Sequence, residues 1–275
     1  MSQIKRTVRA CRSLFRIRFA EELQYRAAAI AGASIGIFWA IIEITVYTAF
    51  YTYGTARTNA SLTLSQLLSY AWLTQIIYSI SYIDIDGELR QKITGGDISV
   101  ELCQPMDFYV HWFTKTAAGR LGGSCWRMLF TLIAGLAMPA SYRLGGPSSA
   151  AGFALFILSM FSAFLLAGAY SMLVTAVRIG ITWGEGPTHM LSLLGMVLGG
   201  GYLPLQLWPD FMQRALFLQP FAGYIDIPVR LYIGSLAPAD ALPAIGLQLF
   251  WTAIFILAGK MLTKRKLNRL IVQGG

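Results

Sequence analysis

The feature that most constrains this chain is a succession of long, continuous apolar stretches. A bilayer's hydrocarbon core, about 30 Å thick, needs roughly 20 apolar residues of helix to cross it. Six stretches approach that length: Ala27–Tyr51, Leu64–Tyr82, Leu121–Ala140, Ala150–Val177, Met190–Leu205 and Leu242–Leu262. Their apolar residues run on rather than alternate, which selects helices over the strands of a barrel. Backbone polar groups in lipid must be paired internally, and a helix does this within one segment. Composition agrees: 56% of the 275 residues are hydrophobic and 13% charged, whereas soluble domains carry about 25% charge. The expected fold is an all-α polytopic membrane protein with six transmembrane helices.

Lysine and arginine placement sets the orientation. With both termini in the cytosol, seventeen of the 22 basic residues fall in cytosolic segments. Four (Arg57, Arg143, Arg214 and Arg230) fall outside, and Arg127 lies within the third span. The net charge of +9 therefore reads as topology, and nucleic acid is not an expected partner. No cleavable signal peptide is evident, because the first apolar run is too long for one.

Residues 1–26 form one expected unit and 27–275 a six-span transmembrane domain. In the first unit, Ile4, Val8, Cys11, Phe15 and Phe19 make an apolar stripe beside a basic stripe of Lys5, Arg9, Arg12 and Arg16. That pattern predicts an interfacial amphipathic helix resting on membrane lipids. Two connections stand out. Segment 84–107 is dense in charge and divided by Gly95 and Gly96, which predicts a short cytosolic helix near Asp86–Thr94 followed by a turn. Segment 204–234 is apolar but interrupted by Pro204, Pro209, Pro220 and Pro228, which predicts re-entrant helices on the external side.

Catalytic signatures are missing. There is no GxxxxGK[ST] phosphate loop, no HExxH or Cys/His cluster and no GxSxG elbow. Cys11, Cys103 and Cys125 form no CxxC pair and read as reduced packing residues. Glu43, inside the first span, is the most unusual residue. It reads either as a counter-charge or cation-binding group on a translocation path, or as a carboxylate hydrogen-bonded to a neighbouring helix or protonated in place. Arg127 is expected to snorkel toward headgroups. Gly32-x-x-x-Gly36 and Gly195-x-x-x-Gly199 offer small-residue faces for close helix approach, and Gly199–Gly201 ahead of Pro204 mark a helix break.

Particular residues carry a resemblance to a known family. Glu22-Leu23-x-Tyr25-Arg26, Tyr70-x-Trp72-Leu73-Thr74-Gln75, Gly87-Glu88, Ile93-x-x-Gly96-Asp97-Ile98, Glu101-Leu102-x-x-Pro105-x-Asp107 and Pro228-Val229-Arg230-x-Tyr232-x-Gly234 resemble the type-two ATP-binding-cassette export permeases, whose ATPase is a separate polypeptide. The likeness covers nearly the whole chain, and the cytosolic motif is its most specific part.

The resemblance implies a transport subunit without enzymatic activity of its own. It would bear no cofactor, since ATP binds the partner subunits, and would act in a bacterial inner membrane. The path would form with a second permease, identical or different. Segment 84–107 would be the coupling helix, with Glu88, Arg90, Gln91, Lys92, Ile93 and Asp97 facing the nucleotide-binding ATPase. Glu43 and Gln75 are candidates for the translocation path. The rival expectation is a secondary transporter or channel that uses the intramembrane carboxylate of Glu43, although no inverted repeat supports it. Substrate identity is not legible.

Overall fold

The computed structural model describes residues 2–53, 62–98, 101, 103–179 and 184–268, with the side chains of residues 2–4 not described. Ile4 (as a side chain), Arg57, Leu102 and Arg269, all used in the sequence reading, lie outside the described set. Among the described residues there are ten α-helices and no strand. They are α1 (Ser2–Glu22), α2 (Arg26–Tyr53), α3 (Leu64–Ser81), α4 (Gly87–Gly95), α5 (Phe108–Ala137), α6 (Ala150–Arg178), α7 (Gly186–Leu198), α8 (Asp210–Leu218), α9 (Asp226–Ile233) and α10 (Pro238–Leu267).

Three helices, α2, α6 and α10, are long and apolar enough to cross a membrane. The other expected spans differ in instructive ways. α3 carries Ser69, Thr74 and Gln75 yet is buried on nearly all sides from Leu67 to Ile77. Its surroundings are protein rather than lipid: Trp72 Nε1 donates to Tyr142 O at 2.9 Å, while Thr74 Oγ1 is buried without a hydrogen-bond partner among the described residues. Its start is fixed by a capping box, in which Thr63 and Gln66 exchange hydrogen bonds. α5 begins at Phe108, well ahead of the expected third span, and runs as one 30-residue helix. Asp107 caps it, accepting from Val110 N at 3.0 Å.

The fifth expected span, Met190–Leu205, is shorter than its hydropathy suggests. α7 has 13 residues, about 20 Å of helix, and stops at the Gly199–Gly201 run. Gly200 has φ 82°, a left-handed turn that suits glycine. The chain then passes through a 3-10 turn at Leu205–Leu207, α8, a second 3-10 turn at Pro220–Gly223 and α9. α9 ends at Gly234 with φ 76°. The segment 204–234 is thus a string of short helices, with Pro204, Pro209 and Pro220 at the start of its elements and Pro228 in the first turn of α9.

Two packing arrangements hold the bundle. α6 packs along α10, and its small residues Ser159, Ala163 and Ala167 are buried, as suits close approach of helix axes. Gln248 of α10 is fully buried there. It accepts from Ser159 Oγ at 3.1 Å and donates to Gly223 O at 2.8 Å, tying α6, α10 and the segment before α9 together. α1 lies along α5 at Gly119, Gly122 and Gly123. Its stripe residues Cys11, Phe15 and Phe19 are half-buried, while Lys5, Arg9, Arg12 and Arg16 are exposed. α5 covers part of the apolar stripe, and Val8 of that stripe is exposed.

Candidate functional site

The charged helix α4 forms where expected, one residue along. Asp86 Oδ1 accepts from Glu88 N at 3.0 Å and Leu89 N at 3.3 Å, and Gly96 at φ 84° closes the other end. Leu89 and Ile98 are buried and Ile93 packs on the core, so one face of the segment is fastened to the bundle.

The charges do much of the remaining fastening. Lys92 lies 3.1 Å from Glu88 and also pairs with buried Glu101. Glu88 pairs in turn with Lys115 of α5. Arg90 pairs with Asp84 and lies 3.4 Å from Glu185, just ahead of α7. Lys115 and Lys92 stand over the ring of buried Trp112, 4.8 Å and 5.6 Å from its centroid. Arg18 of α1 reaches Asp86, the α4 cap, at 3.7 Å. Burial alone would raise the Glu88 carboxyl, but hydrogen bonds from Lys115 and Lys92 outweigh it and hold the group below its ordinary value. The Lys92 ammonium is raised, chiefly by its hydrogen bond to Glu101.

This changes what the six coupling candidates can do. The sequence reading turned all of them toward a partner. In the structure Glu88, Arg90 and Lys92 face intrachain partners, and Ile93 packs inward. Gln91 and Asp97 are exposed, together with Thr94 and Gly95. The charged side chains tie α4 to α1, α5 and the segment before α7, while Glu88, Arg90 and Lys92 keep 37%, 31% and 30% of their side chains exposed beside Gln91 and Asp97.

The two path candidates meet. Gln75 Nε2 of α3 donates to Glu43 Oε1 of α2 at 3.3 Å. Gln75 is buried and Glu43 half-buried. Gly36 opens the space beside them: a Cβ there would stand 3.8 Å from Gln75 Oε1 and 3.9 Å from Thr131 Oγ1. Of the two readings of Glu43, hydrogen bonding to a neighbouring helix is the one this geometry contains.

Sequence reasoning passed over the buried carboxylate of Asp226. It is fully buried at the start of α9. Its Oδ1 accepts from Tyr70 Oη of α3 and from Leu205 N, each at 3.2 Å, and Oδ2 lies 3.6 Å from Arg230 Nη1. The single Tyr70 hydroxyl proton is shared between Asp226 Oδ1 and Gly200 O, which lies 2.9 Å from Tyr70 Oη. This group pins the broken segment after α7 onto α3. The signal was available: a carboxylate in an otherwise apolar run, the criterion that singled out Glu43. Among the described residues no group of His, Cys, Asp and Glu side chains could hold a metal ion.

An all-helical bundle whose described residues include three apolar helices long enough to cross a membrane defines an α-helical membrane protein. The chain belongs to the family of ABC-2 family transporter proteins, whose model matches residues 37–274. It is accordingly an ABC transporter permease, a transport subunit that is not itself catalytic, and the family implies an ATPase partner. No curated protein matches the chain.

Proposed function

We propose that this chain is the permease subunit of an ATP-driven exporter in a bacterial inner membrane. It crosses six times with both termini in the cytosol, shares its translocation path with a second permease, and takes its driving force from separate ATPase subunits. The observation that carries this reading is the fastening of α4. A helix that must convert closure of an ATPase dimer into tilting of membrane helices has to be rigid and tied to several of them. α4 is capped at both ends and joined by ion pairs to α5 and to the segment before α7. The seventeen-to-four distribution of basic residues supports the orientation.

The exposed face of α4 is the surface for the test. Gln91→Glu and Asp97→Lys change that face and leave the intrachain pairs alone. The chain is purified with its candidate ATPase, and complex recovery and hydrolysis in liposomes are measured. Loss of either in these variants, with the permease still folded, is the expected result. Unchanged assembly and unchanged hydrolysis would remove the coupling role from α4.

A further inference from the structure

A cleft of about 320 Å³ opens where α1, the α3–α4 connection and α5 meet. Arg18, Arg120 and Arg127 line it, together with Glu22, Asp84 and Asp86. The carboxylates are already engaged. Glu22 lies 2.9 Å from Arg18, Asp84 pairs with Arg90, and Asp86 caps α4 while lying 3.7 Å from Arg18.

The guanidinium groups are not all engaged. Arg120 Nη2 donates to Asp84 O at 3.1 Å and to Ser171 Oγ, but its Nη1 is buried without a hydrogen-bond partner. Arg127 makes no hydrogen bond or ion pair among the described residues. It is nevertheless seated. Its Nε lies over Gly32 of α2, where an added Cβ would stand 2.7 Å away. The glycine is a notch for the arginine, which gives Gly32 a purpose beyond helix approach. A buried donor without an acceptor beside an exposed cation with no partner among the described residues is an arrangement that an anion completes.

The surroundings indicate the anion's source. Trp126, next to Arg127, donates from Nε1 to Leu23 O at 3.1 Å and has the Arg26 guanidinium 5.2 Å from its ring centroid. Tyr82 lines the cleft. Such aromatic and basic groups gather at the headgroup level of a bilayer. Beyond Gly32, Ile35 and Trp39 continue along the same side of α2 and are 61% and 48% exposed, an apolar track for an acyl chain. A soluble anion has no use for that track.

We propose that this cleft binds the phosphate group of a membrane phospholipid, with Arg127 and the Nη1 of Arg120 as its donors. The lipid would stitch α1 and α2 to α5 beside the coupling helix. This goes beyond transport, and its test needs no partner, nucleotide or substrate.

The full chain, delipidated in detergent, is titrated with phosphatidylglycerol, with diacylglycerol and with inorganic phosphate, and bound species are counted by native mass spectrometry. Phosphatidylglycerol is expected to bind in a saturable one-to-one step that raises the melting temperature. Arg127→Gln should weaken that step about tenfold, and Arg143→Gln, outside the cleft, should leave it unchanged. Diacylglycerol should not fill the step, and inorganic phosphate should not displace the lipid at comparable concentration. Equal binding of diacylglycerol, an unaltered step in Arg127→Gln, or displacement by free phosphate would each overturn the proposal. Because Arg127 is an exposed residue, its variant is expected to fold, and its melting temperature without lipid checks this.

Discussion

Gln75 of α3 donates a hydrogen bond to Glu43 of α2 at 3.3 Å, joining two helices inside the apolar layer by the only acidic residue of α2. A carboxylate there is costly unless something accepts or donates to it, and the amide supplies the donor. The pair explains why a polar residue survives in each helix without requiring a binding site.

The first prediction separates those possibilities. Glu43→Gln keeps an acceptor for the Gln75 amide and should leave helix pairing intact, with unfolding stability changed by less than about 1 kcal/mol. Glu43→Ala leaves buried Gln75 without its partner and should cost about 1–3 kcal/mol. Both are measured by denaturant titration in mixed micelles. Transport supplies the second readout: if cation export falls in Glu43→Gln while stability holds, the charge itself serves the path.

Asp226 should be the more damaging site. It is fully buried and serves Tyr70, Leu205 N and Arg230 together. Asp226→Ala strands the Arg230 charge, which is 18% exposed at its side chain, and orphans a backbone amide. Removing one member of such a pair costs about 3–5 kcal/mol when both are fully buried, so about 2–4 kcal/mol is expected here. Asp226→Ala combined with Arg230→Met should recover part of that loss. Limited proteolysis within 204–234 supplies a local measure, rising in the single variant and falling back in the double.

The fastening of α4 should show a specific pH dependence. Glu88 is held below its ordinary value of 4.5 by Lys115 and Lys92. A depressed carboxylate contributes stability that is present above its unfolded value and lost as pH falls through its folded one. Lys92 is raised above 10.5, so its contribution is intact below that value and lost only as pH rises through the folded one. A spin label at exposed Gln91 should therefore report one immobile state across neutral pH and become mobile only as the pH falls through the depressed Glu88 value. Lys92→Gln should raise mobility at neutral pH, since it removes the Glu101 ion pair and leaves Glu88 with Lys115 alone.

What the sequence made legible, and what it did not, divides along physical lines. Long apolar helices and caps are local properties, so α2, α6, α10 and the Asp86-to-Gly96 helix were readable from period and punctuation. α3 was readable as a helix but not as an interior one, because burial by protein rather than lipid depends on which other helices surround it. The length of α7 was overestimated because hydropathy does not register the left-handed turn at Gly200. The pairing of Glu88, Arg90 and Lys92 within the chain was invisible for a related reason. Their partners Glu101, Lys115 and Glu185 lie up to 95 residues away, and a charge pattern alone does not say whether it faces a neighbour or a stranger. Glu43 and Gln75 were each singled out from sequence, whereas their meeting required the structure.

The docking of α1 on α5 gives the last prediction. At Gly122 an added Cβ would stand 2.7 Å from the Phe19 carbonyl oxygen and 2.8 Å from Glu22 Cβ. A backbone carbonyl in a helix has little freedom to yield, so the helices must separate. Gly122→Ala is expected to cost about 1–3 kcal/mol despite alanine's better helix propensity. Gly246 of α10 provides the control, since nothing lies within 4 Å of its would-be Cβ. Gly246→Ala should be neutral or slightly stabilising, by up to about 1 kcal/mol. The local reporter is Trp126, whose Nε1 donates to Leu23 O at the end of α1. In Gly122→Ala that hydrogen bond should break and the indole emission shift, read against a background in which the other six tryptophans are replaced by phenylalanine. An unshifted spectrum with unchanged stability would mean that α1 does not depend on this glycine face, and the amphipathic stripe would then owe its position to lipid rather than to α5.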